Sequence, residues 1–161
     1  MYNKTIDNNI KTLGGKFVKH IDLLQEYLSN LNVLNAKLHN IHWNVVGNQF
    51  MEVHKFTEEI YDQLFENFDE VAELLKTKKV TPLSTMAEYL EIATIDEIKA
   101  KDFLVKESLE IIKMDLESMK ELATEIRNTA DEEGDFETVA MFEDYVADLS
   151  KNIWFVEAML Q

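Results

Sequence analysis

The sequence predicts an all-α protein built as a bundle of four long helices. Its 161 residues suit one domain, and a hydrophobic content of 46% with only one proline and four glycines favours long regular elements. Apolar residues recur every three or four positions through four long stretches of the chain. Amphipathic helices of this length bury their apolar faces by packing together as a four-helix bundle. A single domain over residues 1–161 follows.

The first two long helices are separated by the short turn VVGNQ. The first is expected from Phe17 to about Val46, and the second from about Phe50 to Leu75, since apolar side chains keep the helical period through both ranges. Residues 1–16 form an N-terminal segment ahead of the first helix and are expected to be mobile.

A long crossover follows the second helix. Pro82 cannot lie inside a helix, so the segment KTKKVTPLS breaks the pattern. Thr85 and Glu88 have the spacing of a capping box, in which each residue caps the backbone of the other. The stretch TMAEYLEIA therefore predicts a short extra helix within the crossover.

The last two long helices complete the predicted topology. A second capping box, Thr94 with Glu97, predicts that the third long helix begins there, and its apolar period continues to about Asn128. After the break TADEEGD, the fourth is expected from about Asp135 to Leu160. A single long crossover between the second and third helices is typical of ferritin-like bundles.

The charge and composition exclude several classes of function. With 31 acidic and 16 basic residues the net charge is −15, so the subunit attracts cations and repels a phosphate backbone. The absence of cysteine excludes thiolate metal sites and disulfides, which leaves imidazole and carboxylate as metal ligands. The sequence has neither the apolar core of a signal peptide nor a run of 18 apolar residues, which predicts a cytoplasmic protein without a membrane segment.

One face of the second helix carries a histidine and three acidic residues. At about 100° per residue, Glu58, Asp69 and Glu73 lie about 40°, 60° and 100° from His54. His54 with Glu58, and Asp69 with Glu73, are pairs four residues apart whose side chains converge. The two pairs are separated by about 22 Å along the axis, which is far more than a metal–ligand bond. One chain therefore cannot close a site from both pairs.

Two chains can close such a site. If two copies of the second helix run antiparallel across a two-fold axis near Gln63 and Leu64, the His54 end of one meets the Asp69 end of the other. The turn after the first helix brings His42 back towards His54. Mixed imidazole and carboxylate ligands suit iron(II), with zinc or manganese as alternatives. The chain contains no Glu-x-x-His, so the di-iron site found inside many ferritin-like bundles is not expected.

The segment HWNVVGNQFMEVHKFTEEIYDQLFENFDEVAE resembles the signature of the Dps family, the dodecameric mini-ferritins. The C-terminal stretch DLSKNIWFVEAML resembles the last helix of that family. The resemblance implies a di-nuclear iron ferroxidase centre at a two-fold subunit interface. Its implied ligands are His42, His54 and Glu58 from one subunit, with Asp69 and Glu73 from the two-fold mate. Two positions differ from the common family pattern. Glu58 stands where many relatives have Asp, and the stretch LLKTKKVTP after Glu73 stands where many relatives have an Arg and a Gly-Gly turn.

Other residues near the histidines have roles that the sequence leaves open. Trp43 and Tyr61 are either core aromatics or oxidisable rings beside the iron. Asp62 lies about 80° from His54 on the second helix. It is either a partner of the ligands or a residue on the approach path of iron, or else it is solvated or paired at the subunit interface. His39 is expected to be structural or to support the ligands, and His20 is expected to be an ordinary core or surface residue.

The acidic run DEEGDFE has two readings. Acidic residues in the first turn of a helix favour the helix dipole, and a charged loop is usually solvated. The resemblance instead implies a three-fold pore lined by acids of this region, whose negative potential draws Fe²⁺ inward. The candidates are Asp131, Glu132, Glu133, Asp135 and Glu137.

The function that the resemblance implies is that of a ferroxidase and iron store. Fe²⁺ is oxidised with hydrogen peroxide, or more slowly with dioxygen, and ferric mineral is kept in a dodecameric cage, which protects against oxidative stress. The alternative is a DNA-compacting protein, which needs exposed cations. The candidate cations are Lys4, Lys11, Lys16, Lys19, Lys76, Lys78 and Lys79. On a subunit of charge −15 these predict no DNA binding at physiological salt.

Overall fold

The architecture is a four-helix bundle with a short helix in the crossover, as predicted. A computed structural model describes residues 19–161. The predicted N-terminal segment 1–16 and the predicted helix start at Phe17 lie outside the described residues. The elements are α1 (Lys19–Asn44), β1 (Val45–Val46), α2 (Phe50–Thr77), α3 (Met86–Ile92), β2 (Phe103–Leu104), α4 (Val105–Glu133) and α5 (Phe136–Met159).

The core lies between the four long helices. Side chains that follow the helical period on each of them are fully buried or nearly so, as the sequence pattern requires. Examples are Leu31, Leu38, Ile60, Ile112 and Phe142. No helix within residues 19–161 combines the length and the apolar character needed to cross a bilayer.

A two-residue strand pair that the sequence did not predict joins the crossover to the α1–α2 turn. Strand β1 pairs with β2 in parallel, with Val45 opposite Phe103 and both side chains buried. The turn then reverses through Gly47 and Gln49, whose φ angles are 116° and 68°. Glycine adopts such angles without steric cost, whereas Gln49 does so as the residue before α2. This turn places the end of α1 beside the start of α2.

The predicted capping box at the start of α3 is confirmed. The Thr85 Oγ1 atom accepts a hydrogen bond from the Glu88 backbone N–H, and a Glu88 carboxylate oxygen accepts one from the Thr85 N–H at 3.0 Å. These bonds satisfy backbone donors that the first turn of a helix otherwise leaves free.

The predicted start of the third long helix at Thr94 is wrong, because α4 begins at Val105. Asn30 of α1 provides the physical reason. Its Oδ1 atom accepts hydrogen bonds from the backbone N–H groups of Thr94, at 2.8 Å, and Ile95, at 3.1 Å. The Thr94 hydroxyl accepts from Asn30 and donates to Glu26, so it is not available as a helix cap. Residues 93–102 therefore stay outside any helix.

The α4–α5 turn is shorter than predicted. Helix α4 continues past Asn128 to Glu133 and ends at Gly134, whose φ of 75° suits glycine. Helix α5 follows directly, because Asp135 is its N-cap and accepts a hydrogen bond from the Thr138 N–H at 3.4 Å. The break TADEEGD therefore contains only about two non-helical residues.

Candidate metal centre

The end of α1 and the start of α2 bring two histidines together. The rings of His42 and His54 are stacked with their centroids 3.6 Å apart. The sequence predicted this proximity from the short turn, and the structure confirms it. His42 is buried, whereas His54 is partly exposed.

The two histidines orient each other through reciprocal hydrogen bonds. His42 Nδ1 donates to the backbone carbonyl of His54 at 2.8 Å, and His54 Nδ1 donates to the backbone carbonyl of His42 at 2.9 Å. A proton on Nδ1 leaves the lone pair of a neutral imidazole on Nε2. The Nε2 atom of each ring is therefore the one that could hold a metal ion, and the Nδ1 bond is of the kind that metal-binding histidines usually make.

Thr57 is a supporting residue that the sequence interpretation missed. It is fully buried, and its Oγ1 atom lies 3.1 Å from His42 Nδ1, where it accepts a second hydrogen bond from the ring. The hydroxyl itself donates to the Val53 carbonyl at 2.9 Å, which fixes its orientation. The only signal in the sequence is its position one helical turn after His54.

Electrostatics keep His42 in the form that binds metals. Burial lowers the pKa of His42 below its ordinary value, and any positive charge on His54 or His39 adds to this effect. The hydrogen bond to the His54 carbonyl and the negative charge of Glu58 oppose it without cancelling it. A lowered pKa favours the neutral imidazole, which is the ligand form.

The three predicted carboxylate ligands lie on the surface of α2. Glu58, Asp69 and Glu73 are all exposed. Because α2 is one continuous helix, Asp69 lies about 22 Å along its axis from His54. Within residues 19–161 no three His, Asp or Glu side chains are grouped closely enough to bind a metal ion. The five-ligand site therefore stays a prediction that needs a second chain.

Aromatic rings surround the histidine pair. Tyr61 stacks on His39 at 3.8 Å and meets the edge of His42 at 5.3 Å. Partial burial raises the pKa of Tyr61, and the nearby charges of Glu58 and Asp62 raise it further. His39 is fixed by the hydrogen bond from its Nδ1 to the Asn35 carbonyl, and its ring contacts those of Tyr61 and Trp43, so it supports both aromatic rings.

Trp43 and Asp62 are not enclosed by the chain. Trp43 is 70% exposed, although its ring lies 5.4 Å from that of His39. Asp62 is also exposed and lies one turn after Glu58 on α2. Neither residue fills the core of this subunit, so the core-aromatic alternative for Trp43 does not apply within one chain.

Two of the predicted pore acids, Glu133 and Asp135, are held by close contacts with a buried histidine. His20, buried and separate from the other histidines, bonds Glu133 through Nδ1 and Asp135 through Nε2, the latter at 2.8 Å. Lys78 lies 2.6 Å from Asp135 and 3.8 Å from Glu137. Burial alone raises the pKa of Asp135, but the bonds from Lys78 and Thr138 outweigh it and lower that pKa.

The remaining pore candidates are less constrained. Asp131 pairs with Arg127 at 3.1 Å, and both side chains are partly open to solvent. Glu132 is exposed, and Glu137 reaches only the distant contact with Lys78. The α4–α5 turn thus presents free negative charge chiefly through Glu132 and Glu137.

Comparisons with known proteins identify the family to which the chain belongs. Residues 21–161 match the family model described as a ferritin-like domain. The DNA protection during starvation protein of Helicobacter pylori is 36% identical over 143 residues, which cover 89% of this chain and 99% of that protein.

Solved structures share the fold at similar identity. A Dps protein from Bacillus brevis superposes with a TM-score of 0.85 at 31% identity, over 91% of this chain and 99% of that one. A Vibrio cholerae Dps protein, described as a member of a broad superfamily of ferritin-like diiron-carboxylate proteins, gives a TM-score of 0.85 at 27% identity. That match covers 99% of this chain and all of the other. The chain therefore belongs to the ferritin-like family and, within it, to the Dps proteins.

Proposed function

We propose that this protein is a ferroxidase and iron-storage mini-ferritin. The observation that carries the proposal is the stacked pair of His42 and His54, whose Nδ1 atoms are both committed to backbone carbonyls so that both Nε2 atoms remain for a metal ion. Glu58 follows one turn later on α2 and adds a carboxylate. Imidazole and carboxylate together form a donor set that suits Fe²⁺.

The site is completed by a second copy of the chain. An antiparallel α2 across a two-fold axis supplies Asp69 and Glu73, and each pair of subunits then has two di-nuclear sites. Large apolar side chains near the middle of α2 and on α3 support this interface, because they are exposed in one chain. They are Phe65, Met86 and Leu90, whose exposed fractions are 62%, 57% and 52%. We expect further three-fold contacts to build a dodecameric cage.

The reaction consumes two Fe²⁺ ions as substrate. Each gives one electron to hydrogen peroxide, and with two protons the products are two Fe³⁺ ions and two water molecules. His42, His54 and the carboxylates bind both ions side by side, so that the two electrons are delivered together. The ferric product is stored as mineral in the cage. Removing Fe²⁺ and peroxide together prevents hydroxyl-radical formation, which gives protection against oxidative stress in the cytoplasm.

Iron entry is assigned to the acidic α4–α5 turn. Around a three-fold axis, Glu132 and Glu137 would contribute negative charge from three subunits, with Asp131 partly neutralised by Arg127. Glu133 and Asp135 serve a structural role, since His20 bonds both of them and Lys78 pairs with Asp135. A focused negative potential raises the local concentration of Fe²⁺.

The test compares two neighbouring residues of α2. Glu58→Gln removes a proposed ligand, whereas Glu59→Gln removes the same charge from an exposed residue that points about 100° away. We expect Fe²⁺ oxidation by peroxide to slow by about tenfold or more in the first variant and to stay unchanged in the second. Equal rates in both variants would refute the assignment.

DNA binding is not expected at physiological salt. Of the candidate cations, Lys78 is largely buried and pairs with Asp135, and Lys19 makes an exposed pair with Glu125 at 2.9 Å. Lys4, Lys11 and Lys16 lie outside the described residues. A gel-shift assay with linear DNA should show retention only at low salt, because few cations oppose a charge of −15. Retention that survives moderate salt would favour the DNA-compacting alternative.

A further inference from the structure

A buried histidine lies where the ends of four helices meet. His20 is in the first turn of α1, and its side chain is only 3% exposed. Its Nδ1 atom contacts a carboxylate oxygen of Glu133, the last residue of α4. Its Nε2 atom lies 2.8 Å from a carboxylate oxygen of Asp135, the N-cap of α5. Asp135 also pairs at 2.6 Å with Lys78, the residue that follows α2. One imidazole ring therefore connects α1 to both sides of the α4–α5 turn.

The two contacts of the ring require two protons. A neutral imidazole carries a proton on one nitrogen and a lone pair on the other, so it donates only one hydrogen bond. An ionised carboxylate only accepts hydrogen bonds. In a neutral ring, one nitrogen would therefore direct its lone pair at a carboxylate oxygen, which is repulsive. Both contacts of His20 are hydrogen bonds only when Nδ1 and Nε2 are both protonated.

The second proton belongs on the ring rather than on a carboxyl group. Imidazole is more basic than a carboxyl group by about two pK units. Burial alone would raise the pKa of Asp135, but the bonds from Lys78 and Thr138 outweigh it and lower that pKa. Glu133 accepts the backbone N–H of Lys19 at 3.0 Å through Oε1 and contacts the ring through Oε2, so both of its oxygens act as acceptors.

Charged groups of both signs surround the ring. The charged side chains that α1, α2, α4 and α5 bring to this place are Lys19, Lys78, Glu132, Glu133, Asp135 and Glu137. The two carboxylates in contact with His20 favour a positive ring, whereas the ammonium group of Lys78 opposes it. Because these influences act against each other, the second proton is held but can be removed.

The contact with Asp135 is the one that a neutral ring gives up. Asp135 keeps two other donors, which are Lys78 and the Thr138 hydroxyl at 2.7 Å, so it stays satisfied without His20. Glu133 is bound to α1 twice, through the His20 ring and through the Lys19 N–H. Loss of one ring proton therefore separates the start of α5 from α1 and leaves the end of α4 attached.

We propose that His20 is a proton-dependent clasp that joins the start of α5 to α1. The ring binds Glu133 and Asp135 together when both of its nitrogens carry protons, and it releases Asp135 when one proton leaves. Histidine is the side chain that ordinarily changes its charge between about pH 5 and pH 8. With Asp135 released, the α4–α5 turn and the first turn of α5 open more often. The clasp does not depend on the proposed iron chemistry.

Neutron diffraction from crystals in heavy water locates these protons directly. Data are collected below and above the ordinary range of histidine, at about pH 5 and about pH 9. We expect deuterons on both ring nitrogens of His20 at the lower pH. At the higher pH we expect one deuteron, on Nδ1, and a longer distance from Nε2 to Asp135. The same number of ring deuterons at both pH values would overturn the proposal.

Amide exchange tests whether the clasp holds the α4–α5 turn. Peptides that span residues 128–140 are followed by mass spectrometry in the assembled protein over the same pH range, with correction for the intrinsic pH dependence of exchange. We expect protection to fall several-fold as the pH rises, and no such transition in His20→Gln, whose amide does not ionise. His39→Gln is the control, because His39 lies about 28 Å from His20 along α1 and should leave the transition in place. A transition that persists in His20→Gln would refute the clasp.

A second variant keeps His20 and changes its surroundings. Lys78→Gln removes the cation beside Asp135, so that the carboxylate stabilises a positive ring more strongly. We expect the exchange transition to move to higher pH by about one unit. A transition that stays at the same pH or moves lower would contradict the proposal. This result can be read even if His20→Gln does not assemble.

Discussion

The orientation of His42 depends on residues that bind no metal themselves. Its Nδ1 proton is shared between the His54 carbonyl and the Thr57 hydroxyl, so that Nε2 faces outward as an acceptor. Partners of this kind fix the tautomer and the ring plane of a ligand. The quality of the proposed site therefore depends on Thr57 as well as on the ligands.

Thr57→Val keeps the shape of the side chain and removes the acceptor. We expect Fe²⁺ binding, measured anaerobically by calorimetry, to weaken by about tenfold. Thr124→Val is a matched control, because the Thr124 hydroxyl makes the same bond to a carbonyl four residues earlier but lies on the surface. If both variants bind Fe²⁺ as tightly as the unaltered protein, Thr57 has no part in orienting His42.

A buried ion pair in the core is a second residue-scale feature. Lys37 of α1 and Asp115 of α4 are 6% and 5% exposed, and Lys37 Nζ lies 2.8 Å from an Asp115 oxygen. Burial raises the pKa of Asp115, while the bond to Lys37 acts in the opposite direction. The carboxylate is therefore tolerated in the core chiefly because Lys37 is there.

Lys37→Met should lower the free energy of unfolding by about 3–5 kcal/mol, because it leaves an unpaired buried carboxylate. Because Lys37 lowers the pKa of Asp115, its removal raises that pKa further, and the variant takes up a proton at higher pH than the unaltered protein does. The deficit should then shrink as the pH falls from neutrality towards the ordinary carboxyl range. Urea denaturation at equal subunit concentration measures both effects. Lys106→Met, which removes an exposed pair, should cost less than about 1 kcal/mol, and an equal cost in both variants would refute this account.

At the scale of elements, the long crossover is positioned by one side chain of α1. Asn30 is 2% exposed and bonds both backbone N–H groups at the bend, those of Thr94 and Ile95. These two donors have no neighbouring helix turn to satisfy them, so the amide of Asn30 takes the place of a cap. It keeps residues 93–102 out of α4.

Asn30→Leu should lower the free energy of unfolding by about 2 kcal/mol, since it leaves buried donors without an acceptor. Amide exchange at Thr94 and Ile95, followed by mass spectrometry of peptides, should become faster. Asn128→Leu on the exposed face of α4 serves as the control. Exchange at these two amides that stays as slow as before would show that Asn30 does not hold the crossover.

Elements governed by local rules were predictable, and elements governed by distant contacts were not. The four long helices follow from apolar period, and the start of α3 follows from a capping box closed within four residues. The same capping-box pattern at Thr94 does not begin a helix. Asn30, which is 64 residues away in the chain, bonds the backbone N–H of Thr94 instead. The β1–β2 pair was missed for the same reason, since two residues per strand carry no period.

The candidate site also combines features that the sequence predicts with features that it does not predict. The proximity of His42 and His54 follows from turn length, and their reciprocal bonds were not foreseen because backbone carbonyls leave no mark in a sequence. His20 was expected to be ordinary, and its pairing with Glu133 and Asp135 became visible only when the ends of α1, α4 and α5 met.

At the scale of the whole molecule, the central claim is that the metal centre belongs to two chains. One subunit presents His42, His54 and Glu58 at one end of α2, and Asp69 and Glu73 about 22 Å further along the helix axis. An isologous contact between two antiparallel α2 helices brings the His54 end of one chain to the Asp69 end of the other. It therefore produces two equivalent sites per dimer. The exposed Phe65 near the middle of α2 marks the surface where such a contact would form.

Subunit complementation tests this claim most directly. His54→Ala and Asp69→Ala are prepared separately, shown to be inactive in Fe²⁺ oxidation with peroxide, and then dissociated and reassembled together. Half of the random pairs are mixed and each has one intact site, so activity should return to about a quarter of that of the unaltered protein. If mixed assembly is verified by mass and no activity returns, the ligands belong to one chain and the shared centre is wrong.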